Sequence, residues 1–156
     1  KIMLDNKPGP GGHHGKRHQF QLVLRDTTHP ITKGMPAQWM HNTDELYDSL
    51  RGPARDINLL ATAFSDPATN GTGDHELILF TVKYGKGRVY NSSMGHLWRG
   101  ETYPPAYRCV GFQTTVIRAA EWLAKGKVTY PVPVDFPTKE KLSLRPEADF
   151  LRSTKQ

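Results

Sequence analysis

The chain has 156 residues, 37% of them hydrophobic, and a formal net charge of +6; that length suits one domain with its own core, and no apolar run approaches the roughly 18 residues of a membrane span. A single cysteine, Cys109, excludes an internal disulfide and any multi-cysteine zinc site and leaves the compartment open. The positive charge points to no nucleic-acid partner: Lys1, Lys7, Lys16, Arg17 and Arg25 against Asp5 supply four of the six units near one end, and no basic stripe interleaved with aromatics follows.

Residues 1–18 read as a loop. Lys7-Pro8-Gly9-Pro10-Gly11-Gly12, followed by His13, His14 and His18, is too broken for a helix or a buried strand, although its histidines could gather a metal. The first residues lack the apolar centre of a signal peptide and the chain opens on Lys1, so any targeting segment is expected upstream, and cytoplasm and periplasm or secretion stay equally open. Phe20, Leu22 and Leu24 alternate with polar residues, the period of a strand with one buried face, and Pro30 ends that segment after His29.

Asn42-Thr43-Asp44-Glu45 ahead of Leu46 and Leu50 predicts a short helix opened by a capping box, with Glu45 reaching back to the Asn42 amide. Residues 57–63 are a short apolar run, a buried strand with an exit loop through His75. The run from Glu76 to Lys83, the turn Tyr84-Gly85-Lys86-Gly87 and the return through Arg88-Val89-Tyr90 predict a β-hairpin in which both glycines supply positive φ. Its second strand leaves through Asn91-Ser92-Ser93, and Gly95 turns the backbone so that His96 emerges at the strand's carboxyl end, where open α/β sheets bind ligands.

A helical period follows, with Val110, Thr114, Ile117 and Glu121 in one row and Phe112, Val116, Ala119, Ala120 and Leu123 as the apolar face; Gly126 stops it. From Val128 the chain is extended and proline-broken, and residues 137–156 form a charged tail that lies over the domain or leaves it.

An ordered set of segments resembles the second half of a ThuA-like (trehalose-utilisation) domain. These are Gly11-Gly12-His13-His14-Gly15, His29-Pro30-Ile31-Thr32-Lys33-Gly34-Met35-Pro36, Asp44-Glu45-Leu46-Tyr47, Leu60-Ala61-Thr62, Tyr84 to Val89 through Met94-Gly95-His96, and Ala120-Glu121-Trp122. The resemblance implies a flavodoxin-like α/β/α three-layer sandwich of the class I glutamine amidotransferase type, lacking its N-terminal strands here. Residues 19–136 are then the C-terminal part of that domain, residues 1–18 its loop and 137–156 its tail. Expressed alone, such a part is expected to be marginal or to aggregate. The family is associated with sugar utilisation, which makes a carbohydrate (trehalose, another glycoside or a keto-sugar) the expected partner. A hydrolase or isomerase is the expected enzyme class, with a non-catalytic sugar-binding or interaction module as the alternative.

On the residues present a Cys-dependent glutaminase does not fit: the amidotransferases that the resemblance brings in carry their cysteine ahead of the catalytic histidine, whereas Cys109 follows His96 and opens a helix, a core position, which leaves only an upstream nucleophile for that reading. Ser93 lacks the glycine two residues earlier that a nucleophile elbow needs. The candidate catalytic set is therefore His96, His29 and Glu45, two imidazoles and a carboxylate able to act as acid and base or to bind a divalent metal such as zinc. If they form one site, His29 and Glu45 must converge on His96; otherwise Glu45 caps a helix and His29 packs beside Pro30. His75, Glu76, Trp98 and Tyr103 are the candidate substrate-binding residues, with Trp39 a further aromatic for stacking on a sugar.

Overall fold

In a computed structural model of the chain, which describes residues 6–9 and 11–151, the row Phe20, Leu22 and Leu24 is buried in one strand of a five-stranded sheet. In chain order the elements are β1 (His13–His14), β2 (His18–Leu24), β3 (Gln38–Asp44), β4 (Tyr47–Asp48), β5 (Asn58–Phe64), β6 (His75–Tyr84), β7 (Gly87–Ser92), α1 (Pro105–Arg108), α2 (Val110–Lys125) and α3 (Ala148–Leu151). The sheet runs β3-β2-β5-β6-β7 with all neighbours antiparallel, and β1 pairs β4 in a separate ribbon. The loop reading of residues 1–5 and 10 and the tail reading of 152–156 lie outside the described residues.

This is a mixed α/β architecture on an antiparallel sheet, whereas a flavodoxin-like sheet is mostly parallel. Antiparallel neighbours put β3, β5 and β7 in one direction. Their carboxyl ends, at Asp44, Phe64 and Ser92, therefore share one end of the sheet with the starts of β2 and β6.

The helix expected after Asn42 is instead the end of β3. Pairing with β2, through Phe20↔His41 and His18↔Asp44, satisfies the backbone that a capping box would have served. The Asn42 side-chain amide donates to the carbonyl of Pro105, the first residue of α1, at 3.1 Å and caps no helix in its own segment. The hairpin of β6 and β7 forms as expected, with a two-residue turn at Gly85-Lys86; only Gly85 (φ 58°) takes positive φ there, while Gly87 begins the strand.

α2 packs on the sheet so closely that a Cβ on Gly111 would stand 2.3 Å from the Trp39 ring. Trp39 is fully buried and meets Phe136 edge-on at 5.4 Å, so it belongs to the core with Leu22, Leu60 and Ile78 and offers no stacking face. The helix is turned from its expected orientation. Val110, Gly111, Thr114, Thr115, Arg118 and Ala119 are buried, while Val116, Ile117 and Leu123 are exposed. Arg118 explains the turn: its guanidinium donates to the carbonyls of Ile31, Tyr130, Pro30 and Lys33 at 2.6, 2.7, 2.8 and 2.8 Å. A buried cation with that many acceptors fixes the helix face more firmly than the apolar stripe does.

The segment after α2 lies over the domain. Met40 donates to the carbonyl of Thr138 at 2.9 Å, Val110 to that of Ser143 at 2.9 Å, and Arg145 to that of Arg108 at 2.8 Å.

Candidate functional site

Asp44 ends β3 fully buried and organises everything around it. One carboxylate oxygen, Oδ1, accepts the backbone N–H of Glu45 at 2.8 Å, that of His96 at 3.3 Å, and His96 Nδ1 at 2.9 Å. The other, Oδ2, accepts the N–H of Gly95 at 2.7 Å and His41 Nε2 at 2.8 Å. Burial alone would raise the carboxyl's pKa, but the bonds from His41, His96 and the Gly95 amide outweigh it and hold the group far below the usual carboxylate range. β3 and β7 are opposite edges of the sheet; this carboxylate joins their exits.

Gly95 makes that junction. Its φ is 91°, and a Cβ there would lie 2.5 Å from Phe112 Cζ, so both the turn and the close approach require glycine. The turn delivers the His96 amide and ring to Asp44. That hydrogen bond raises the pKa of His96 against the opposing effect of burial, and Glu45 raises it further.

Because an ionised carboxylate only accepts, the nitrogen of His96 facing Asp44 carries hydrogen, and in the neutral ring Nε2 is bare. Nε2 lies 3.9 Å from Glu45 Oε2, and His14 Nε2 approaches the same oxygen at 3.6 Å. Glu45 Oε1 accepts the indole N–H of Trp98. Tyr47 stacks flat on His96, with centroids 4.8 Å apart and planes at 14°, and lies 5.2 Å from the His14 ring. Burial, then the Glu45 charge and its hydrogen bond, raise the pKa of the Tyr47 phenol.

The ribbon carries His14 into place. Gly12 (φ 65°) turns into β1, Gly15 packs where a Cβ would be 2.2 Å from the carbonyl oxygen of Thr69, and the pairs His13↔Asp48 and His14↔Tyr47 set the register. His13 Nδ1 reaches Asp48 at 3.0 Å. At the rim Arg17 bonds Glu101 at 2.8 Å and lies 6.0 Å over the Trp98 ring, half of which is exposed.

His96 and Glu45 thus come together, and Trp98 joins them. Glu45 does not cap a helix. His29 stands apart, beyond the far end of β2, a strand of seven residues and so about 20 Å long. Its ring meets Trp122 edge-on at 4.9 Å, its Nδ1 accepts the Ile31 N–H at 3.2 Å, and burial lowers its pKa against the pull of Asp26. β2 ends already at Leu24, well before the proline expected to end it, and Asp26 Oδ1, which accepts the N–H of Thr28 at 2.9 Å and that of His29 at 3.0 Å, holds His29 in the local turn.

His75 is exposed at the start of β6 with Nδ1 3.1 Å from the Thr62 hydroxyl, and Glu76 is buried and accepts from the Thr72 hydroxyl at 2.7 Å. Tyr103 is half-buried in the loop before α1. Ser93 donates to the carbonyl of Leu77 at 3.3 Å, a strand exit bonded to backbone. Cys109 is buried in the core, as expected.

Sequence reading missed Asp44, His14, His41 and Tyr47 as one constellation. The pair His41-x-x-Asp44 and the flanked His13-His14 were visible; the capping-box pattern hid the former. Among the described residues no three His, Cys, Asp or Glu side chains are gathered as a metal ion requires, and no described helix is long and apolar enough to cross a membrane.

The profile of the family described as ThuA, trehalose utilisation, matches residues 9–123, which include every residue of the Asp44 constellation. The chain belongs to the ThuA family. The crystal structure of a ThuA-like protein from Parabacteroides merdae ATCC 43184 superposes on this ThuA chain with a TM-score of 0.83 at 48% identity, over 90% of this chain and 50% of that one. The ThuA chain therefore spans about half the length of that relative. Comparison with curated proteins returns no match.

Proposed function

We propose that this ThuA-family chain contributes a carbohydrate site to a sugar-utilisation protein, with His96 as acid and base on a sugar hydroxyl or carbonyl-adjacent carbon of a glycoside or keto-sugar. The observation that carries the reading is the Asp44 bridge: it leaves His96 Nε2 as the nitrogen directed toward Glu45, whose carboxylate also meets the His14 ring and the indole N–H of half-exposed Trp98. A proton taken by Nε2 makes an imidazolium that Asp44 stabilises in place. Glu45 is the second acid–base group, and the Trp98 ring supplies the apolar platform a pyranose face prefers.

For a divalent cation such as zinc, His14 replaces His29 as the partner of Glu45 and His96. Those three side chains would have to rotate together to share an ion. The rival reading, a non-catalytic sugar-binding module, is favoured by the bonded state of Ser93 and the burial of Cys109, which leave neither as a free nucleophile.

Di- and keto-saccharides titrated against the wild type and His96→Asn, with binding and product followed separately and with zinc added or chelated, test both readings. Product lost in the variant supports the enzyme. Saturable binding without product in the wild type sinks it and supports the module.

We also infer that the flavodoxin-like, amidotransferase-type sandwich is completed by sequence of the kind found in the unmatched half of the longer relative. Support comes from the outer edge of β7, which pairs only with β6 among the described residues, and from exposed apolar side chains on the neighbouring helices, Tyr107 of α1 and Val116 and Ile117 of α2.

A further inference from the structure

Two imidazoles turn the same nitrogen toward one carboxylate oxygen, and in the neutral rings none of the three atoms carries a hydrogen. His96 Nδ1 meets Asp44 Oδ1 at 2.9 Å, and His14 Nδ1 meets the carbonyl of Gly15 at 2.8 Å. Both partners only accept, so each Nδ1 holds the hydrogen and each Nε2 is bare. The bare nitrogens of His96 and His14 stand 3.9 and 3.6 Å from Glu45 Oε2, lone pair facing lone pair.

The donors nearby are engaged. The Trp98 indole N–H goes to Glu45 Oε1, the Tyr47 hydroxyl is bonded to Glu45, and Arg17, the cation whose charge reaches His96, is bonded to Glu101 at 2.8 and 3.4 Å. The Glu45 side chain is 5% exposed, whereas the rings of His14 and His96 are 31% and 27% exposed, so the cluster opens to solvent along its imidazole side.

A lining that only accepts is matched by a ligand that donates. A phosphate, carboxylate or carbonyl oxygen would add another lone pair there, whereas each hydroxyl brings one hydrogen. One hydroxyl serves one acceptor, so filling the cluster takes O–H groups on adjacent carbons. We propose that His14, Glu45 and His96 bind a vicinal pair of hydroxyls, and that the ligand is a polyol left unphosphorylated, unacylated, unalkylated and unoxidised at those two carbons. The inference narrows the sugar-site reading, on which it rests for the Trp98 platform. It makes His14 a binding residue beside His96 and places the carbonyl of any keto-sugar outside the cluster.

The test titrates the full chain with trehalose, its fully O-methylated counterpart and myo-inositol. EDTA is present throughout, and the pH lies above the titration of both rings. Long-range proton–nitrogen NMR follows the Nε2 resonances of His14 and His96, with exposed His75 as the internal reference. Trehalose or myo-inositol should move both nitrogens together and saturably. The methylated sugar keeps the ring and its acceptors but has no hydroxyl, and should bind about a hundredfold more weakly or leave both nitrogens still. Glu45→Gln supplies an amide N–H to the rings from within and should abolish the response.

Equal binding of the methylated sugar overturns the proposal, as does an undiminished response in Glu45→Gln. So does zinc chloride, added without EDTA, moving both nitrogens when no polyol does. Should Glu45→Gln not fold, the methylated and unmethylated sugars still decide on the wild type. myo-Inositol has ring hydroxyls but neither acetal nor carbonyl, so the two readings fail separately. A response to it without any to saccharides leaves this inference standing and removes the sugar site, and sugar turnover with both nitrogens unmoved does the reverse.

Discussion

Asp44 shows how one side chain can concentrate stability and chemistry. Its folded pKa is depressed, so the stability it contributes is complete above its unfolded value of about 4 and is lost as pH falls toward the folded value. Asp44→Asn should cost about 3 kcal/mol in urea unfolding at pH 7, and the gap to wild type should narrow in acid; a gap constant with pH would contradict the assignment. His96 has the opposite sign. Its raised pKa means that a base role switches on as pH rises through a value above 6.5, and that its ion pair with Asp44 stabilises below 6.5 and is lost above the folded value. The base limb of any activity should therefore lie above the ordinary histidine value, and a limb below it would remove His96 from the role of base.

At the scale of elements, turns matter more than the helix. Gly85 and Gly95 both hold positive φ, but nothing lies within 4 Å of a Cβ on Gly85, whereas one on Gly95 meets Phe112 at 2.5 Å. Gly85→Ala should cost about 1 kcal/mol and leave the His96 titration unchanged. Gly95→Ala should cost about 3 kcal/mol and loosen His96 from Asp44, because strain and overpacking add. Thermal melts and histidine NMR of the two variants check the contrast; equal effects would mean that the loop after β7 is not what holds the site. Removing the Arg118 guanidinium in Arg118→Met should cost about 3 kcal/mol, since four carbonyls lose a charged donor at once.

For the whole molecule, the exposed side of α2 and the open edge of β7 set the expectation. Val116, Ile117 and Leu123 are each more than a third exposed, and an apolar helix face beside a strand whose outer edge has no partner among the described residues invites association. The 156-residue chain alone should be marginal or aggregate. A monodisperse preparation with one cooperative thermal transition would show a self-sufficient domain and remove the need for a covering half.

The residues by themselves determined the local elements whose pattern no distant contact overrides: the alternation of β2, the apolar run of β5, the hairpin of β6 and β7 with its glycine turn, and a helix ended by Gly126. The family resemblance and the meeting of His96 with Glu45 were also legible from order and motif. Tertiary structure alone decided the rest. Residues 42–44 are a strand because β2 supplies a partner ladder that a single-sequence capping pattern cannot anticipate. α2 presents Thr114, Thr115 and Arg118 inward because four carbonyls from separate segments converge on one guanidinium. His14 replaced His29 beside Glu45 because a strand's two ends lie about 20 Å apart, a separation that neither composition nor spacing between histidines records, and because the pairing of β1 with β4, His14 opposite Tyr47, brings His14 to the Glu45 carboxylate from a distant part of the chain.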